Sequence, residues 1–469
     1  MGQDTRALQG LSSCDAAGSE GIVPAKELES LLWTSGLSLA WRPMVVRTDT
    51  VIIGAGQAGL SLSARLTARG HRHVVLERGQ IGERWRSERW DSLHMLTPNW
   101  LNRLHGAPAH ADPHGFLGRD GFVSYLQEYA SSFGMPVQQY VDVRSVERRR
   151  GGFRVATDSG EWVARRVVVA TGDCVVPHRP TVGGTVSPEI TQLDAARYRS
   201  PGQLPPGSVL VVGAGPSGLQ IATELRRAGR AVVLAVGSHA RAVRRYRGRD
   251  IWHWIARLGD LEDSVEDVPK ELRRTPSFAL SGQNGGEELD LGTVSKHGVT
   301  LAGRLTGISG SSATFDDNLV EAAGSADHRL FELLARIDAH IDRSSDAAEI
   351  AAAEPVARVG VGSGPRSLDL GEAGVSTIVW ATGYHREYPW LHVPVLDHAG
   401  EIVQRHGVTP VTGLFVLGLR FQSRRTSHTI GGVSRDAAAI AQDITCPPQA
   451  CREPVRRRAP ARLTAHPAV

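Results

Sequence analysis

Two glycine fingerprints in one chain limit most of what it can fold into. The first is Gly54-Ala55-Gly56-Gln57-Ala58-Gly59 and the second is Gly213-Ala214-Gly215-Pro216-Ser217-Gly218. Each follows a short apolar run, Val51-Ile52-Ile53 or Val209-Leu210-Val211-Val212, and each opens a segment of helical character. In such a strand–turn–helix unit the first glycine permits the tight turn. The second lets a pyrophosphate approach the backbone, and the third lets helix and strand pack closely. The free N–H groups and positive end of the helix then face the phosphates. One copy of this pattern is weak evidence. Two copies in the same context predict an α/β chain with two Rossmann-like dinucleotide-binding domains. A chain that holds two dinucleotides is built to pass electrons between them.

The end of the second strand in each unit distinguishes the two sites. After the first turn, strand Val74-Val75-Leu76 ends in Glu77, an acid placed to hydrogen-bond a ribose hydroxyl. After the second turn, strand Ala231-Val232-Val233-Leu234-Ala235-Val236 carries no acid. Gly237-Ser238-His239-Ala240-Arg241 follows it, then Arg244, Arg245 and Arg247. An arginine there accommodates the extra 2′-phosphate of NADPH through a planar, charge-assisted fork. Arg241 is nearest the strand end. Gly54, Gly56, Gly59 and Glu77 are therefore candidate contacts of one dinucleotide. Gly213, Gly215, Ser217, Gly218, Ser238 and Arg241 are candidates for NADPH.

Further along, residues 118–134 read as an amphipathic helix with Phe122, Tyr125, Leu126 and Tyr129 on one stripe. Apolar runs Val167–Ala170 and Ile378–Ala381 both end in Ala-Thr-Gly, and strand Leu414–Leu417 precedes a helix from about Gly432 to Ile444. The Pro- and Gly-rich stretch 177–207 reads as a linker. The repeated Ala-Thr-Gly suggests nesting, with the second dinucleotide domain inserted into the first. The expected organisation is a disordered extension over 1–43, a first domain over 44–200, an inserted domain over 201–364, completion of the first domain over 365–446 and a disordered tail over 447–469.

Composition excludes several other classes. The net charge of +4 gives no support for a nucleic-acid partner, and the longest apolar runs are too short to span a membrane. No secretory leader is recognisable ahead of Met44, so the expected location is cytoplasmic. The four cysteines, Cys14, Cys174, Cys446 and Cys451, form no CxxC and no disulfide framework. His94, His105, His110 and His114 match no metal spacing, and no metal is expected. The sequence is compatible with a homodimer.

The chain resembles the class B flavoprotein monooxygenases, the flavin-containing monooxygenase and Baeyer–Villiger family, and within it bacterial oxidoreductases of the cation-efflux-associated type. The resemblance covers about residues 44–445. It rests on both glycine turns, Gly82-Glu83-Arg84-Trp85, Arg89-Trp90-Asp91-Ser92-Leu93, Ala170-Thr171-Gly172 and Ala381-Thr382-Gly383-Tyr384. The linker fits at Tyr198 but holds Asp194 where the family expects histidine. The resemblance implies FAD at the first site and NADPH in the inserted domain. It implies a monooxygenase that uses O2 through a C4a-peroxyflavin to oxygenate a nitrogen, a sulfur or a ketone of a small molecule. It also places Trp85 beside the flavin and Asn99, in Thr97-Pro98-Asn99, near the flavin C4a as the catalytic amide. The competing expectation is an NADPH-dependent flavoprotein reductase acting on a quinone or carrier protein.

Overall fold

The computed structural model describes residues 45–446 apart from 184, 274 and 345–349. The extension and tail expected over 1–43 and 447–469 lie outside the described residues. The first part of the chain runs β1 (Val45–Ile53), α1 (Gln57–Ala68), β2 (His73–Glu77), α2 (Arg119–Ser132) and β3 (Val137–Gln139). It then forms an antiparallel meander of β4 (Val143–Arg149), β5 (Gly152–Thr157) and β6 (Gly160–Val169). After it come β7 (Thr191–Asp194), β8 (Ser208–Val212), α3 (Pro216–Arg227), β9 (Val232–Ala235), β10 (Thr300–Ala302), the long helix α4 (Leu319–Asp342) and β11 (Val375–Trp380). The last elements are β12 (Leu414–Val416) and α5 (Val433–Thr445).

These strands form two main sheets. In the first, β3, β2, β1 and β6 lie parallel in that order, and β12 continues the parallel run beside the end of β6. The start of the same β6 edge pairs antiparallel with β5, so the meander branches from the dinucleotide sheet. In the second sheet, β10, β9, β8, β11 and β7 are all parallel. The central strands are continuous apolar runs because parallel sheets are covered on both faces. Val51, Ile52, Val209, Leu210, Val211, Ile378 and Val379 are all fully buried. α1 presents Ala58, Gly59, Ser61, Ser63 and Ala64 as buried positions, small side chains that let the helix lie close. α5 packs against α1, so the end of the chain closes the first sheet's helical layer.

The nesting is present, but its boundaries differ from those expected. β11 pairs with β8, so the second Ala-Thr-Gly ends a strand of the second sheet and does not return to the first. β7, inside the stretch read as linker, is that sheet's far edge. The expected breaks at 200 and 364 therefore move outward. The chain crosses between sheets at Val176–Pro177 and returns at Tyr384–His385, and these two crossings pair with each other as an antiparallel ribbon. The misreading has a simple cause: an apolar strand ending in Ala-Thr-Gly looks the same whichever sheet receives it. No helix among the described residues is long and apolar enough to cross a membrane.

Candidate functional site

The two turns repeat each other bond for bond. Gly54 N donates to Leu76 O, and Gly213 N donates to Ala235 O. Ala170 N donates to Ile53 O, and Ala381 N donates to Val212 O. Both first glycines sit at φ +108°, a left-handed region that disfavours side chains. A Cβ on Gly54 would stand 2.7 Å from Ala170 O, and one on Gly213 would stand 2.5 Å from Ala381 O. Each turn is thus backed by its own Ala-Thr-Gly. The third glycines, Gly59 and Gly218, lie against the carbonyls of Gly54 and Gly213, where a Cβ would overlap the oxygen. The second glycines differ in kind. Nothing lies within 4 Å of a Cβ placed on Gly56 or Gly215. Each is the N-cap of a helix, in extended backbone, and no side chain caps either helix. Two open cradles with uncapped helix ends fit two pyrophosphates.

Around the first turn the structure brings together most of the expected residues. Glu77 is buried. Its carboxylate accepts from Ala55 N at 2.7 Å and Gly79 N at 3.2 Å, while burial pushes its pKa up against those bonds. Trp85 Nε1 approaches Gln57 Oε1 at 3.4 Å, and its ring meets Phe122 edge-on at 4.9 Å, so it stands beside the turn. Asn99 is different. Its Nδ2 donates to Asp112 O at 2.9 Å and its Oδ1 accepts from Leu117 N at 2.9 Å. The amide expected to meet reacting oxygen thus also pins the loop 112–117.

Around the second turn, Ser217 is half-buried in the first turn of α3 and Ser238 is exposed just past β9. Arg241 is not available to a ligand. It is only 9% exposed. Its Nε donates to Asp290 Oδ2 at 2.9 Å, and its Nη1 donates to Asp327 Oδ1 at 2.6 Å and Ala357 O at 3.0 Å. Arg244 is buried with Asp250, Leu96 O and Ser281 O as partners, and Arg247 pairs with Asp338. The sequence reading placed these arginines at a phosphate because their partners, far along the chain, are invisible from the loop itself.

Between the turns the two sheets are tied by polar contacts. Arg89 stacks between the rings of Trp85 at 5.4 Å and Tyr384 at 5.8 Å, bridging the first turn and the end of the second Ala-Thr-Gly strand. Glu224 on α3 accepts from Ser92 Oγ at 2.7 Å and from the buried Tyr198 hydroxyl at 2.8 Å. Gln283 Nε2 donates to Ser92 O at 2.8 Å. Asp194 forms a two-pronged pair with Arg179 at 2.6 and 2.9 Å. The residue that departs from the family pattern is therefore a fixed anchor beside the crossing.

Sequence reasoning missed a polar cluster at the carboxyl ends of β6 and β12. Asp173 directly follows Ala170-Thr171-Gly172. It accepts from Arg420 N at 2.7 Å and from Arg386 Nη1 at 2.6 Å. The Arg420 Nε and His428 Nδ1 atoms are buried without protein partners. Orphaned polar atoms beside an open cradle, at the carboxyl ends of adjacent parallel strands, fit a large polar ligand. Burial pushes the His428 imidazole down to about 4, against the pull of Asp173. In the unfolded chain it titrates near the ordinary 6.5. The unfolded state therefore binds the extra proton between those values, so stability rises with pH through that window and is lost as pH falls. Denaturant melts from about pH 4 to 7 should show this limb, and His428→Asn should flatten it. An identical limb in the variant would refute the assignment. Among the described residues, no group of His, Cys, Asp or Glu could hold a metal, and Cys174 and Cys446 are free.

Comparison with known proteins agrees with this geometry. A family model described as pyridine nucleotide-disulphide oxidoreductase matches residues 51–249. An uncharacterized CzcO-like oxidoreductase of Geobacillus kaustophilus is 31% identical over 399 residues, covering 84% of this chain and 98% of that protein. The rice indole-3-pyruvate monooxygenase YUCCA1 is 27% identical over 414 residues, covering 84% of this chain and 91% of the relative. A variant flavin monooxygenase from Stenotrophomonas maltophilia has the same fold, with a TM-score of 0.57 at 20% identity, over 85% of this chain and 98% of that one.

Proposed function

The chain belongs to the class B flavoprotein monooxygenase family, and on that premise we propose that it oxidises NADPH through FAD and passes one oxygen atom of O2 to a small organic substrate. It is a flavin-dependent oxidoreductase of the monooxygenase type. The observation that carries the finer reading is the pair of open cradles at Gly56 and Gly215, each at the carboxyl end of its own parallel sheet. Gly54, Gly56, Gly59 and Glu77 would hold FAD, with Trp85 beside it. Gly213, Gly215, Ser217 and Gly218 would hold the NADPH pyrophosphate, with Ser238 at the ribose end. Bound FAD supplies hydride acceptance and oxygen activation. The protein's own part is positional. The paired crossings at Val176–Pro177 and Tyr384–His385 and the Arg89 stack keep the two cradles in register.

The balance is fixed. NADPH, one proton, O2 and the substrate give NADP⁺, water and the oxygenated product. The two electrons of the hydride reduce the oxygen atom that leaves as water. The substrate is a soft nucleophile, an amine or a sulfide, or a ketone. The rice relative is named for indole-3-pyruvate, a 2-oxo acid, so 2-oxo acids join the carbonyl compounds to be tried. The test is stoichiometry: NADPH, O2 and product followed together across amines, thioethers and 2-oxo acids. One substrate should give close to equal consumption and product, with little hydrogen peroxide. Peroxide equal to NADPH with every compound, together with fast flavin reoxidation by a quinone, would establish the reductase instead.

A further inference from the structure

We infer that Arg304, and not an arginine of the loop after β9, is the side chain that grips the 2′-phosphate of NADPH. The inference rests on the NADPH reading above and names the residue that makes it selective. Its starting point is the internal repeat. Ile53 pairs with Leu76 in the first sheet as Val212 pairs with Ala235 in the second. The next residue in each case is Glu77 or Val236, so Val236 stands where the first site keeps its ribose-binding acid. The third strand repeats as well. Glu77 pairs with Gln139, which brings Tyr140 beside Arg78. Ala235 pairs with Ala302, which brings Arg304 beside Gly237. The proximity is direct: a Cβ on Gly237 would stand 3.9 Å from Arg304 Cζ and 4.0 Å from Nη2.

The two equivalent positions carry opposite chemistry. Tyr140 is a neutral, exposed phenol that accepts from Gln80 Nε2 at 2.6 Å. Arg304 is an exposed cation. Among the described residues its guanidinium has no carboxylate partner. Only its backbone is engaged, the N–H with Asn318 Oδ1 and the carbonyl with Asp316 N. The acid next on that loop, Asp317, is taken by Arg366. Of the two nucleotides a class B enzyme uses, only NADPH carries a phosphate on the adenine ribose. The unpartnered fork sits at the ribose end of the cradle assigned to it. Gly237 and exposed Ser238 leave room for that phosphate, and a planar guanidinium can hold it through two hydrogen bonds. The other cation close by, Arg329 on α4, already donates to His239 O at 2.7 Å.

The experiment uses the flavin-loaded protein and two fragments that undergo no redox chemistry, 2′,5′-ADP and 5′-AMP, titrated by calorimetry at fixed ionic strength. The wild type should prefer 2′,5′-ADP. Arg304→Ser should weaken 2′,5′-ADP about ten- to a hundredfold, as expected for losing a charge-assisted pair, and leave 5′-AMP unchanged. Arg304→Lys should recover part of the loss. Arg329→Ser should change neither fragment. Because Arg304 is exposed, flavin content and melting temperature should stay at the wild-type value. A wild type that binds both fragments equally would overturn the NADPH reading itself. A wild type that discriminates, with an Arg304→Ser variant that discriminates just as well, would overturn only the assignment of Arg304.

Discussion

Gly56→Ala is expected to fold normally and emerge colourless, whereas Gly59→Ala is expected not to fold stably at all. The two substitutions add the same methyl group three residues apart, and the structure gives them opposite surroundings. Gly56 has extended backbone that alanine adopts freely, and nothing lies within 4 Å of the added carbon. Its only cost in the empty protein is the modest preference for glycine over alanine at an N-cap, well under 2 kcal/mol. The methyl group does occupy the space where a pyrophosphate must approach the helix N–H groups. Losing one or two charge-assisted hydrogen bonds, each worth about 1.5–3 kcal/mol, lowers FAD affinity on the order of a hundredfold or more. At Gly59 the same carbon would overlap the Gly54 carbonyl oxygen, an immovable backbone atom. That overlap forces the helix off the sheet and costs on the order of 4 kcal/mol or more. The second turn repeats the pair. Gly218→Ala should fail to fold, and Gly215→Ala should keep its yellow colour but lose reduction by NADPH. Flavin absorbance after purification, a thermal melt and stopped-flow reduction read all four variants. A Gly56→Ala protein that binds FAD as the wild type does would remove the first cradle from the FAD site.

The turns were legible in the sequence because their physics is local. Gly54 and Gly59 each answer to a carbonyl within the same strand–turn–helix unit or its backing strand, and Gly56 is the N-cap of that unit's helix, with no side-chain cap. Glu77 was legible for the same reason, since its bond to Ala55 N lies within one βαβ unit. Trp85 was placed by resemblance and does stand beside the first turn. What could not be read depended on pairing across long stretches of chain. The strand before Ala381-Thr382-Gly383 could have joined either sheet, and only its register with β8 decides. Asn99 carries no local mark of the loop it holds. Arg304 lies just past the end of a strand far downstream of Gly237, and no spacing rule links them. The Asp173 cluster left one faint signal, an acid directly after an Ala-Thr-Gly strand end, but its partners Arg386, Arg420 and His428 come from the returning segment.

Arg241→Met is expected to destabilise the protein by about 3–5 kcal/mol while leaving the preference for NADPH over NADH unchanged. A phosphate-binding arginine would give the reverse: little change in stability and a large change in preference. The guanidinium lies between Asp290 and Asp327, which are themselves buried. Asp290 also caps the helix Leu291–Lys296 through Thr293 N, and Asp327 holds Val359 N at 2.9 Å. The triad therefore fastens together the strand pair at Ala240–Arg241, a helix start, the middle of α4 and the segment around 357–359. Taking away the cation leaves two buried carboxylates facing each other without compensation. Breaking a buried pair in this way is far more costly than the net worth of the pair when intact. The carboxylates can relieve that cost only by binding protons, so the Arg241→Met protein should lose less stability near pH 5 than near pH 8. Replacing all three residues with apolar side chains of similar volume should recover much of the loss, because the desolvation of the charges disappears with them. Chemical melts of the wild type, the single variant and the triple variant at the two pH values test the argument. Reduction rates with NADPH and NADH on the surviving folded protein complete it. A stable single variant that has lost its NADPH preference would return Arg241 to the phosphate and displace Arg304 from it.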